Sequence, residues 1–172
     1  MAKNIVLIGL MGSGKTTVAR LLSEKSGKNV SDTDQIIELG AQKTINEIFE
    51  FHGESFFRKF EAKIIEKLSS QSDEIISTGG GSVENVENIN NLKQNGVIFY
   101  LYAPADMLFK RIKSSHNRPL LQNPKPLDTL KGLLIKREKF YEMADFKIDT
   151  SRMNPEKVAD KIIEKYNEHI NG

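Results

Sequence analysis

Gly9, Gly12 and Gly14, followed by Lys15, Thr16 and Thr17, stand directly after the apolar run Ile5-Val6-Leu7-Ile8 and open a helix-patterned stretch. The spacing G-x-x-x-x-G-K-T suits a polyphosphate. Glycines free the backbone to wrap it, N–H groups from Gly12, Ser13 and Gly14 through Thr17 donate to it, and the helix N-terminus adds the positive end of its dipole. On this reading Lys15 reaches the β- and γ-phosphates of a nucleoside triphosphate, and the Thr16 hydroxyl ligates the magnesium ion that arrives with it. An ordinary glycine turn between a strand and a helix would need neither Lys followed by Thr nor both flanking elements.

Further along, Asp32-Thr33-Asp34 lies in a short extended segment whose two-residue alternation puts both carboxylates on one side of the chain. Phosphoryl transfer needs one group to hold magnesium or its waters and another to accept or orient a hydroxyl proton. Asp32 suits the first task and Asp34 the second, although Asp or Thr before Gln35-Ile36-Ile37 also makes a good helix N-cap. Arg58 and Glu61 share a helical face at i, i+3, where the carboxylate can orient the guanidinium, and a solvated ion pair is the plain alternative. Gly79-Gly80-Gly81 ends an apolar strand, and three consecutive glycines carry an entropic cost that makes sense where something must approach the backbone closely. Arg118 and Arg137 are isolated arginines, each a fork for carboxylate or phosphate, and each by default a surface residue.

These groups need a scaffold, and the chain supplies alternating patterns for one. Apolar runs at Ile5–Ile8, near Val30, at Ile75–Ser77, Val97–Tyr102 and Phe146–Ile148 read as strands. Helical faces fall between them at Val18, Leu21 and Leu22, at Ile64, Ile65 and Leu68, at Leu130, Leu133, Leu134 and Tyr141, and at Val158, Ile162 and Tyr166. Strands alternating with helices predict an α/β fold, a parallel sheet between helical layers, with ligands outside the carboxyl ends of the strands. The polar, proline-rich stretch within residues 113–126 reads as a lid over the site rather than a disordered connector.

The chain of 172 residues, 38% hydrophobic, suffices for one domain, residues 1–172, and leaves no length for a second. Its 25 basic and 23 acidic residues leave a net charge of +2, so no basic field predicts nucleic acid as a partner. There is no cysteine, which removes disulfides and thiolate chemistry, and His52, His116 and His169 lack metal-ligand spacing. No apolar run approaches the ~20 residues that span a bilayer, and the start of the chain has no signal-peptide pattern, so the expectation is a soluble, cytoplasmic protein without a membrane partner. No N-K-x-D string reads guanine and no apolar strand ends in Asp-Glu, which turns the reading from switch GTPases and motor ATPases toward a small-molecule kinase.

Taken together these motifs resemble shikimate kinases, small P-loop kinases of the nucleoside monophosphate kinase type. The resemblance runs from Lys3 to about Ile163. It rests on G-x-x-G-x-G-K-T at Gly9–Thr16, D-T-D at Asp32–Asp34, I-F-x-x-x-G-E-x-x-F-R-x-x-E at Ile48–Glu61, the triple glycine, R-P-L-L at Arg118–Leu121 and R-x-x-x-Y at Arg137–Tyr141. It implies a three-layer α/β/α fold with a five-stranded parallel sheet in the order 2-3-1-4-5, and transfer of the ATP γ-phosphate to the 3-hydroxyl of shikimate. It also implies Arg58 and Arg137 as the clamp on the substrate carboxylate, with Glu61 beside them, Gly80 and Gly81 as backbone contacts, and Asp34 as hydroxyl contact and base. Phe49 and Phe57 become pocket walls, Asp32 a holder of Mg2+ through water, Arg118 a lid residue on ATP, and Arg111 and Pro155 neighbours of adenine. Met153 departs from relatives that carry a basic residue beside the base. The resemblance leaves a monomer as the expected state. Two rivals are a related kinase of the gluconate kinase type and a non-catalytic kinase-like regulator; the first has no reason to combine D-T-D, the clamp and the triple glycine, and the second predicts losses from the catalytic set.

Overall fold

The computed structural model describes residues 3–113 and 124–172, so Arg118 and most of the segment expected as a lid lie outside the described residues. Five strands, β1 (Asn4–Ile8), β2 (Asn29–Asp32), β3 (Glu74–Ser77), β4 (Gly96–Tyr102) and β5 (Phe146–Asp149), form one sheet in the order β2-β3-β1-β4-β5. Every pairing is parallel, with Ile5 opposite Ile75 on one side and Val97 on the other. A parallel sheet is covered on both faces, which is why nearly all of β1 and of β4 reads as an unbroken apolar run.

The helices are α1 (Lys15–Ser26), α2 (Thr33–Ala41), α3 (Ile45–Ser69), α4 (Val86–Gln94), α5 (Ala105–Ile112), α6 (Pro126–Tyr141) and α7 (Pro155–Asn171). Strand alternation divides them into two layers. Ile5, Leu7, Val97 and Phe99 point to one face, where Val18 and Leu22 of α1 and Val158 and Ile162 of α7 cover them. Val6, Ile8, Ile98 and Tyr100 point to the other, against Ile65 of α3, Ile89 of α4, Leu108 of α5 and Leu130 and Tyr141 of α6. A smaller cluster of Ile37, Ile48 and Phe57 fastens α2 to α3 beyond the carboxyl edge of the sheet. Among the described residues no helix is long and apolar enough to cross a membrane.

Two local features place the catalytic edge. Helix α3 starts in a capping box, Thr44 with Glu47, and is bent at Gly53, whose φ of 77° and ψ of 168° no other residue adopts readily. The bend turns the Ile45–His52 half away from the axis of the half that carries Arg58 and Glu61. The second feature is common to the strands: β1, β2 and β3 all end at the same edge, delivering the phosphate loop, Asp32 and the glycine turn to one place.

Candidate active site

A cavity of about 800 Å³ opens at that edge. Every site residue expected from the sequence that falls within the described residues lines it: Gly12 to Thr17, Asp32, Asp34, Phe49, Phe57, Arg58, Glu61, Gly80, Gly81, Arg111, Arg137 and Pro155. The phosphate loop forms one end. Gly14 is the N-cap of α1 at φ 93° and has no capping side chain, so the N–H groups of Thr16 and Thr17 are left for an anion. Lys15 Nζ donates to the carbonyl of Gly9 at 2.7 Å and that of Leu10 at 3.3 Å, folded back over its own loop. Arg111 ties the loop to the strap between β5 and α7, donating to the Gly12 carbonyl at 3.3 Å, to Thr150 Oγ1 at 3.0 Å and to the Thr150 carbonyl at 2.8 Å. Pro155, the first residue of α7, lines the cavity with Met153.

The D-T-D segment differs from its expected form. β2 stops at Asp32, whose Oδ1 accepts from the N–H groups of Asp34 at 3.1 Å and Gln35 at 3.3 Å, so Asp32 is the N-cap of α2 and Asp34 sits in its first helical turn. The helix start, not strand alternation, brings the two carboxylates to the cavity. Thr33 is buried and accepts on Oγ1 from the N–H of Gly79 at 2.9 Å, tying α2 to the glycine turn. Burial raises the Asp34 carboxyl above its ordinary range, and the charge of Asp32 adds to the rise against the opposing pull of Lys15 and Arg58.

Beside Asp34 lies Glu61, 1% exposed. Its Oε2 accepts from Arg58 Nη1 at 2.7 Å, while Oε1 is buried with no hydrogen-bond partner among the described residues. Burial raises this carboxyl too, offset in part by Arg58 and reinforced by Asp34. The glycine turn explains its own composition here. A Cβ on Gly79 would sit 2.6 Å from Asp34 Oδ1 and 3.0 Å from Glu61 Oε1, and one on Gly81 would collide with Arg58 Nη2 and lie 3.0 Å from Arg137 Nη2. The close approach expected at these glycines is therefore made by the protein's own acidic and basic groups. Carboxylates converge at Gly79 and guanidiniums at Gly81.

Arg58 lies over the ring of Phe57, 5.1 Å from its centroid, and Phe57 packs against Phe49 at 4.8 Å, so the aromatic pair both closes the core and walls the cavity. Arg137 is buried on α6 and donates from Nε to Glu84 Oε1 at 2.8 Å. One turn further on, the Tyr141 hydroxyl donates to the Gly80 carbonyl at 2.6 Å. Sequence reasoning missed Thr33 as a hydrogen-bonding partner of the glycine turn, Glu84 and Thr150. Each acts through a contact 39 or more residues away in the chain, and no local spacing announces such a contact.

The family model for shikimate kinase matches residues 11–167. The chain belongs to the shikimate kinase family. It is 48% identical to the shikimate kinase of Caldicellulosiruptor bescii over 94% of each chain, and 47% identical to that of Thermodesulfovibrio yellowstonii over 99% of this chain and 98% of the relative. In three dimensions it is similar to the shikimate kinase of Acinetobacter baumannii solved in complex with shikimate, with a TM-score of 0.92, 38% identity, and coverage of 98% of this chain and 95% of that one. Membership of the shikimate kinase family makes the protein an ATP-dependent kinase, and the observed strand order agrees with the fold that the resemblance implied.

Proposed function

We propose that this kinase transfers the γ-phosphoryl group of ATP to the 3-hydroxyl of shikimate, giving shikimate 3-phosphate and ADP. The observation that carries the reading is the division of charge along the glycine turn. Arg58 and Arg137 meet at Gly81, while Asp34 and Glu61 meet at Gly79, two residues away along the chain. A ring with one carboxylate and hydroxyls at its far side matches that polarity. The arginine pair holds the carboxylate, Gly80 and Gly81 offer backbone groups, and Oε1 of Glu61, without a partner among the described residues, is an acceptor for a hydroxyl donor. Phe49 and Phe57 limit the ring's freedom.

The nucleotide takes the other end, its phosphates over the first turn of α1 and its base near Arg111 and Pro155. The hydroxyl oxygen of the acceptor attacks the γ-phosphorus, the bond from that phosphorus to the β,γ-bridging oxygen breaks, and the hydroxyl proton passes to Asp34. The raised carboxyl of Asp34 is a stronger base than an exposed aspartate. Lys15 leaves its loop carbonyls for the phosphates, and Arg118, assigned from sequence alone, completes the charge on the transferring group. The oxygen donors here, the Thr16 hydroxyl and the Asp32 carboxylate, both at the cavity, suit magnesium. Bound magnesium would neutralise charge on the β- and γ-oxygens.

The test is Mg-ATP-dependent ADP release with and without shikimate, run on the parent and on Asp34→Asn. Shikimate-dependent turnover that the substitution abolishes is the expected outcome. No stimulation by shikimate would refute the acceptor, and full turnover in Asp34→Asn would refute the base.

A further inference from the structure

The 3-10 turn Ser82–Glu84 follows the glycines directly, and Glu84 at its end does not line the cavity. Its Oε1 accepts from Arg137 Nε at 2.8 Å and its Oε2 from Lys136 Nζ at 2.5 Å. Burial alone would raise this carboxyl, but the hydrogen bonds from Lys136 and Arg137 overcome that and hold it below the usual range. Arg137 has only a tenth of its side chain exposed. A guanidinium is a rigid planar fork, so fixing Nε fixes the direction of both Nη groups. The Nη2 atoms of Arg137 and Arg58 converge on Gly81, and Nη2 of Arg137 stands next to Nε on the rigid fork, so the Glu84 bond at Nε sets where that nitrogen lies. Tyr141, four residues along α6, holds the Gly80 carbonyl, so α6 grips the glycine turn at Gly80 and at Glu84 together.

We propose that Glu84 is a positioning residue for the acceptor site: by holding Nε of Arg137 it aims the Nη edge of that guanidinium at the substrate carboxylate, beside Arg58. The inference rests on the reading of shikimate as acceptor. It assigns to a residue outside the cavity a share of the affinity for the carboxylate end, and none of the affinity for nucleotide.

The experiment is steady-state kinetics on the parent, Glu84→Ala, Glu84→Gln, Glu84→Asp, Arg137→Ala and the double variant Glu84→Ala/Arg137→Ala, with KM read separately for shikimate and Mg-ATP. Glu84→Ala is expected to raise the shikimate KM about tenfold, a loss of ~1.4 kcal/mol, with the ATP KM within twofold of the parent. Glu84→Gln keeps an acceptor for Nε and is expected to recover to within about threefold. Glu84→Asp, one methylene short of Nε, is expected to resemble Glu84→Ala. In the Arg137→Ala background the Glu84 substitution should add nothing, because its route to the substrate is gone. A shikimate KM within twofold of the parent in Glu84→Ala would overturn the proposal, as would an equal rise in both KM values or an effect that persists without Arg137. Should Glu84→Ala not fold, Glu84→Asp and Glu84→Gln decide, and parent-like shikimate KM in both would overturn it. A parent without shikimate-stimulated turnover takes down the acceptor reading and this inference with it; a parent with such turnover and an unmoved Glu84→Ala takes down this inference alone.

Discussion

Replacing Gly79 by alanine probes the acid end of the site with one carbon atom. The backbone there does not occupy the left-handed region, so the added methyl acts through space and not through strain. Its Cβ would lie 2.6 Å from Asp34 Oδ1, 0.8 Å short of the 3.4 Å where ordinary contact begins (3.4 − 2.6), and 3.0 Å from Glu61 Oε1. The turn cannot retreat easily. Its N–H is held by Thr33 Oγ1 at 2.9 Å, and its carbonyl accepts from Ser82 Oγ at 2.8 Å and Ser82 N at 3.2 Å. The carboxylate of Asp34 must therefore move by most of that 0.8 Å. A misplacement of about 1 Å at a reacting group costs roughly 10²-fold in rate, so kcat should fall by roughly 10²-fold while the melting temperature, set by cores that the methyl does not touch, changes little. A coupled assay of ADP release at saturating shikimate and Mg-ATP, with a thermal melt on the same samples, reads both. A Gly79→Ala enzyme with kcat within threefold of the parent would refute the claim that the glycine turn and Asp34 are in close register.

Gly132 makes the matched control: it lies in α6 with nothing among the described residues within 4 Å of an added Cβ, so Gly132→Ala should stabilise the fold by ~0.5–1 kcal/mol in chemical denaturation without changing kcat, and a loss of stability would contradict the open space. Asp34→Asn should melt higher than the parent at pH 8. The folded-state carboxyl is raised above its ordinary value of 3.8, so its contribution to stability is present below pH 3.8 and is lost as pH rises through the raised value; the two proteins should converge on acidification, and a parent that melts higher than the variant at pH 8 would reverse the sign. Arg111→Ala, which frees Gly12 from Thr150, should raise the Mg-ATP KM about tenfold and leave the shikimate KM in place; equal rises in both would make Arg111 a general structural residue.

What the sequence disclosed and what it hid follow from range along the chain. Strands β1 and β4 were legible because burial on both faces demands unbroken apolar runs, and the start of α1 because phosphate binding demands glycine, Lys and Thr at fixed spacing. Helix α4 was not legible: Asn85 caps it and Asn88, Ile89 and Leu92 are buried, but its nine residues carry too few apolar positions to show a stripe. Asp34 was expected on a strand because alternation and helix capping predict the same exposed carboxylates from D-T-D; the contest is decided by the cap that Asp32 Oδ1 makes to two backbone N–H groups. Gly79 and Gly81 signalled close approach correctly, but the approaching groups come from α2, α3 and α6, separated from them by up to 56 residues, and no local pattern could name them.

The ligand-free site is organised against its own stability. Half-buried Asp34 and buried Glu61 lie near one another, burial raises both carboxyls, Asp34 raises Glu61 further, and among the described residues Glu61 Oε1 has no hydrogen-bond donor. A fold optimised for stability alone would separate two such carboxylates or replace one with an amide. Each cost disappears on binding in the orientation proposed: a ring hydroxyl supplies the donor that Glu61 Oε1 lacks, and the acceptor proton is taken by the raised base. The arginines add the converse argument, because Arg58 is anchored by Glu61 at Nη1 and more loosely by Glu54 at Nε and Nη2, Arg137 is anchored by Glu84 at Nε, and the Nη2 atoms of both converge at Gly81. In the orientation proposed, two guanidiniums that converge on one point and are each fixed by a carboxylate are complementary to an anion, so the affinity for the substrate carboxylate would depend on the anchors as well as on the arginines.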